Sequence, residues 1–218
     1  MTRAVPLFIG LFIGLIALLP ARLLLPAPPL SATSITGSLW HATLADAALG
    51  SARLGTVEMR LQPAALAQGR LQWQISGGLA GALFQSPSGG GGEGLAGTLP
   101  GAALPGLPLA AITLADTDIL LDVDGRCRSA SGQVTATLAV ALAGQTSLSG
   151  APRCDASALL LPLASPDGRV RLDLRLTAQG WQAQLGINGA APAEAMALAA
   201  AGFGRNGGEI LLNREGSW

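Results

Sequence analysis

Period-two alternation constrains this chain more than any other feature. Val57, Met59 and Leu61 alternate with Glu58, Arg60 and Gln62, and Leu71, Trp73 and Ile75 with Arg70, Gln72 and Gln74. Val170, Leu172, Leu174 and Leu176 alternate with Arg169, Arg171, Asp173 and Arg175. Trp181, Ala183, Leu185 and Ile187 do the same against Gln182, Gln184 and Asn188. Successive side chains point to opposite sides of a strand, so each run predicts one buried and one wet face. Breaks at Gln179-Gly180 and Pro166-Asp167-Gly168 separate the runs and predict antiparallel hairpins. The 30 Gly, 14 Pro and only eight Phe and Trp in 218 residues suit many short strands joined by turns and would weaken a helical bundle. Two stretches read as helices, Pro63–Gly69 and the Ala-rich Ala191–Gly204, each with Pro early and Gly at its stop. The glycine tract Gly89–Gly94 reads as a mobile loop. The expected fold is mainly β: a curved, mostly antiparallel sheet with one or two short helices, preceded by a single N-terminal transmembrane helix.

That helix is expected from Ala4 to Ala21, an uncharged run behind Arg3. Eighteen residues at 1.5 Å rise reach roughly 27 Å, close to the hydrocarbon thickness of a bilayer. Gly10 and Gly14 form a G-x-x-x-G that lets a second helix approach, although glycine is also simply common in membrane helices. The run is longer than the apolar part of a usual signal peptide, and Arg22-Leu23-Leu24-Leu25-Pro26 is not a clean cleavage site, so an uncleaved anchor is the expectation. Arg3 and the amino terminus hold residues 1–3 in the cytoplasm. Residues 22–30 form a Pro-rich linker, and 31–218 a domain outside the cytoplasm, in the periplasm of a Gram-negative cell. Cys127 and Cys154, the only cysteines, both fall in that domain. A bridge between them would close a loop of about 27 residues, worth roughly 3–4 kcal/mol; two buried thiols are the alternative.

Ile35, Leu39 and Trp40 are expected to start the first strand, with Trp40 sealing one end of the core and Gly37 permitting a bulge or a close backbone approach.

No signature of catalysis emerges. The formal charge is zero and all cations are Arg, which argues against nucleic acid and excludes a Walker P-loop, a Schiff-base lysine and an S-x-x-K site. His41 is the only histidine and has no G-x-S-x-G elbow with it; two cysteines with one distant histidine do not make a zinc site. G-x-G-x-x-G occurs at Gly89–Gly94 and Gly202–Gly207, but neither copy opens a helix after a strand, as a dinucleotide site requires. Asp116, Asp118, Asp122 and Asp124 share one parity and so one face of a strand. A solvated face is the simplest reading, because carboxylates lined along a strand do not wrap Ca²⁺. The other is docking: this acidic row would pair with the basic face Arg169/Arg171/Arg175, across strands or on a partner. No cofactor and no metal site is expected.

The stretch Thr36-Gly37-Ser38-Leu39-Trp40-His41-Ala42-Thr43-Leu44, behind an apolar anchor and a Pro-rich exit, resembles the type II secretion system protein N family. Pro63–Trp73 is similar to that family's helix-to-strand turn, and Arg126–Gly132 and Gly202–Asn213 also look alike. The resemblance implies a non-catalytic inner-membrane accessory component, a scaffold in the machine that exports folded periplasmic proteins across the outer membrane. Its implied partners are other inner-membrane components of that system. The competing expectation is a membrane-anchored periplasmic lipid-handling protein, whose sheet would cradle an acyl chain in an apolar groove.

Overall fold

The computed structural model describes residues 30–217 except Leu39, Gly50 and Ser51. The expected anchor at 4–21, with Gly10 and Gly14, and residues 22–29 of the linker lie outside the described residues. Among those described, no helix is long and apolar enough to cross a membrane.

The first half of the sheet comprises β1 (Leu30–Ser31), β2 (Ser34–Ser38), β3 (His41–Leu49), β4 (Ala52–Leu61), β5 (Leu71–Gly77), β6 (Leu79–Ser86), β7 (Gly89–Pro100) and β8 (Leu109–Asp122). It continues with β9 (Cys127–Leu142), β10 (Gln145–Gly150), β11 (Arg153–Asp155), β12 (Ala158–Ala164), β13 (Val170–Leu176), β14 (Gly180–Asn188), β15 (Gly204–Asn206) and β16 (Glu209–Ser217). All of them join one open, curved sheet that follows chain order except in three places: β1 and β2 both pair with β3, β10 pairs with β12 while β11 lies off that path on β12, and β14 pairs with β16 so that β15 forms the edge. The opposite edge is β1 and β2, which follow one another along β3. Every pairing described is antiparallel.

Tight turns produce this meander. Leu142 pairs with Gln145 across a two-residue turn in which Ala143 and Gly144 both have positive φ, the conformation whose twist matches the flanking strands. Asn206 pairs with Glu209 across the two-residue turn Gly207-Gly208, in which Gly207 has positive φ. The two expected helices are present but shorter than read, at Pro63–Leu66 and Pro192–Ala200, each with Pro in its first turn. The second lays Ala195 and Leu198 on the core, and its Glu194 accepts the Ala143 N–H at 2.6 Å, fixing the helix to the β9–β10 turn.

The alternating runs bury the face they predict except at the start of β5, where Leu71 is exposed and Trp73 only half-buried. Along β13, Val170, Leu172 and Leu174 are buried while Arg171 and Asp173 are exposed. These residues belong to the larger of two apolar clusters, which extends from the loop before β8 to β16 and includes Val134, Leu148, Leu185, Ile187 and Trp181. A smaller cluster around Leu44, Val57, Met59, Ile75 and Leu95 sits in the first half. Burying one such side chain is worth about 1.5–3 kcal/mol, so the curved sheet is held by what its inner side encloses.

Two expectations are corrected. Gly89–Gly94 is the first half of a strand, not a loop: Ser86–Phe84 pair with Gly89–Gly91 on one side and Asp122–Ile119 with Gly89–Gly92 on the other. The ladders on both sides supply the order that side chains do not, a tertiary override of glycine's poor strand propensity. Trp40 is half-buried in the β2–β3 turn rather than closing the core, and its carbonyl accepts the Leu61 N–H at 3.1 Å. Trp181 is the deeply buried tryptophan, 4% exposed. The close approach at Gly37 is present: its φ is +99°, and a Cβ there would overlap the His41 carbonyl oxygen.

Candidate functional site

His41 is exposed at the start of β3, opposite Ser38 and Arg60 in the ladders. Among the described residues no group of three His, Cys, Asp or Glu is placed to hold a metal ion.

Alternation alone misses how the acidic strand is built. Asp116 has φ +49° and the β8–β9 register shifts between Ala115 and Asp118, a bulge that inserts one extra residue. Ile112 and Thr117 are therefore both buried, although they lie an odd number of residues apart, and Asp116, Asp118 and Leu120 all face outward. Thr117 donates to the Gln133 carbonyl at 3.3 Å. Gly132 lies beside the bulge, where a Cβ would overlap the Asp116 carbonyl oxygen.

The four acids do not share one role. Asp118 Oδ1 accepts the Gly94 N–H at 2.7 Å, and its other oxygen accepts the Ser131 hydroxyl at 3.5 Å. Asp122 closes the turn after β8: its Oδ1 accepts the Asp124 and Arg126 N–H groups, each at 2.9 Å. The Arg126 amide, above all, lowers the Asp122 pKa below the usual carboxylate range. Asp124 stands in that turn and pairs with Arg126 at 3.6 Å. The row is not paired with Arg169, Arg171 or Arg175, as the expectation of cross-strand pairing held. Arg175 pairs instead with Asp155, and Arg169 donates to the Gly189 carbonyl at 2.5 Å. Asp116 and Asp118 have no cation within ion-pair distance among the described residues.

Cys127 and Cys154 are disulfide-bonded, their Cα atoms 5.4 Å apart. The bond fastens the start of β9 to β11, two strands that share no ladder.

One cluster was not singled out by the sequence. Arg70 donates to both oxygens of Glu93, at 2.9 and 3.0 Å, and to Gln72, and its guanidinium lies 4.7 Å from the centroid of the Phe84 ring. Arg70 stands on the wet parity of β5, a legible signal; Glu93 lay inside the tract taken for a loop. Beside this cluster is a trough of about 450 Å³ lined by Phe84, Gly92, Glu93, Asp118, Leu120 and Ser129, among others. Larger concavities of about 700 and 540 Å³ lie on the outer side of β13, β14 and β16, and both include Arg175, Gln182 and Glu215. The apolar cleft between the second helix and β15, with Met196 and Phe203, is about 230 Å³.

Residues 28–213 match the family model described as type II secretion system (T2SS), protein N. No curated protein and no solved structure matches the chain.

Proposed function

The chain belongs to the type II secretion system protein N family, and on that premise we propose that it is a non-catalytic accessory scaffold of the secretion machine. In this reading residues 4–21 anchor it in the inner membrane and the sheet domain stands in the periplasm, supporting export of folded proteins across the outer membrane. Its partners are other inner-membrane components of the system, met laterally by the anchor through Gly10 and Gly14 and by the outer side of the sheet near Asp116, Asp118, Asp122 and Asp124. The observation that carries the reading is the division of the sheet's two sides. The apolar side is enclosed in the two clusters, while concavities of about 700 and 540 Å³ face outward, lined between them by Asp173, Arg175, Gln182, Gln184 and Glu215, among others. An acyl-chain carrier needs the opposite arrangement, an apolar concave side open to solvent. The disulfide supports an oxidising compartment, and the open edges β1–β2 and β15 offer backbone groups for strand addition.

The test is export itself. In the native host, removing the chain is expected to leave folded exoproteins in the periplasm, and restoring the full chain to return them to the medium. Undiminished export in its absence overturns the reading.

A further inference from the structure

The glycine strand leaves a slot on the outer side of the sheet. The ladders align Phe84, Gly91, Leu120 and Ser129 in one cross-strand row. Phe84 and Leu120 thus stand on the same side of the sheet across Gly91, the one position of that row without a side chain. A Cβ at Gly91 would overlap the Ile119 carbonyl oxygen, so the floor stays bare. Leu120 is 37% exposed. A single exposed apolar residue means little, but an exposed Leu120 and a half-buried Phe84 that wall a gap over bare backbone form a receptor for an inserted side chain.

The size and charge of the slot narrow the occupant. The walls stand on strands two spacings apart, about 9.6 Å between backbones. An α-helix with side chains is about 10–12 Å across and does not enter; one side chain of an extended segment does. Arg70 already offsets Glu93 and stacks on Phe84. Asp118, which lines the trough, and neighbouring Asp116 have no ion partner among the described residues. The rim is therefore negative, which repels phosphate-bearing lipids and attracts cations.

We propose that the slot between Phe84 and Leu120 docks an extended protein segment that inserts an aliphatic or aromatic side chain flanked by Arg or Lys. This rests on the secretion reading only for the partner's identity, since the recognition chemistry stands without it.

The test uses the full chain in detergent, titrated with an acetylated heptapeptide alternating arginine with leucine. The comparison ligands are the same peptide with glutamate for arginine, the same peptide with serine for leucine, and phosphatidylglycerol vesicles. The arginine–leucine peptide is expected to bind at least tenfold more tightly than each of them. Leu120→Ser and Ser129→Arg, both exposed outer-side changes, are each expected to weaken it at least fivefold, while Val140→Ser, exposed elsewhere, leaves it unchanged. Tryptophan fluorescence reports that each variant is folded. Equal binding of any comparison ligand overturns the proposal, as does indifference to both slot variants. If export depends on the chain but the peptide does not bind, the slot fails alone. If the peptide binds but export is indifferent to the chain, the secretion reading fails alone.

Discussion

Replacing both Cys127 and Cys154 with alanine tests how the start of β9 is held to β11. The bond joins residues 27 apart in sequence, and releasing a loop of that length returns about 3.5 kcal/mol of conformational freedom to the unfolded chain. Cys127 is 7% exposed, so the missing sulfur adds about 1 kcal/mol for lost packing. Unfolding entropy for a domain of this size is about 0.4 kcal/mol/K, so the double variant should melt about 10 °C lower. Urea unfolding of the full chain in detergent, followed by tryptophan fluorescence, measures the change directly. Wild type treated with reductant in urea and refolded under reducing conditions should lose most of the same stability. A loss below about 1 kcal/mol in both experiments would refute the reasoning, because the unfolded chain would then gain little freedom from the break.

Leu172→Ala, at a site with no exposed surface beside Leu163 and Leu185 in the ladders, should cost about 2–5 kcal/mol in the same assay. Gly132→Ala should cost more than about 1 kcal/mol, because φ is +108° and a Cβ meets the bulge backbone. Gly207→Ala, at φ +62° with nothing nearby, should cost about 1 kcal/mol or less. Asp122 and Asp167 both have pKa values lowered in the fold, Asp122 chiefly by the Arg126 amide and Asp167 chiefly by the Ser165 hydroxyl at 2.6 Å. Their stabilisation is present above the ordinary carboxylate pKa of about 3.9 and is lost as pH falls from there through the folded value. Asp122→Asn and Asp167→Asn should therefore destabilise at pH 7 and converge on wild type in strong acid, as urea midpoints at both pH values will report.

The strands were legible wherever one side is buried and the other wet, because period two then appears in the residues themselves. β13 and β14 are the clearest cases. Gly89–Gly94 was not legible: a strand without side chains has no pattern, and its order comes from backbone partners on both sides. The Asp116 bulge was also invisible, because no glycine stands at it in β8 itself and its effect is to shift parity without a break in composition. That shift decides which acids face outward, so the candidate surface depended on a feature that alternation cannot express. The slot was hidden for both reasons at once. Its floor is the glycine strand, and its walls, Phe84 and Leu120, stand 36 residues apart in sequence and meet only through the ladders. Trp40 misled because a large aromatic near a strand start suggests a core plug, whereas the two-residue turn carries it to the periphery.

The central claim, that this chain docks to other secretion components through the outer side of its sheet, is tested most directly by photocrosslinking in native membranes. A photoreactive residue would replace Asp118, with a second preparation carrying one at Gly14 in the expected anchor. The account predicts adducts to inner-membrane secretion components from both positions. Adducts to phospholipid alone at position 118, with no protein partner from either position, would contradict it.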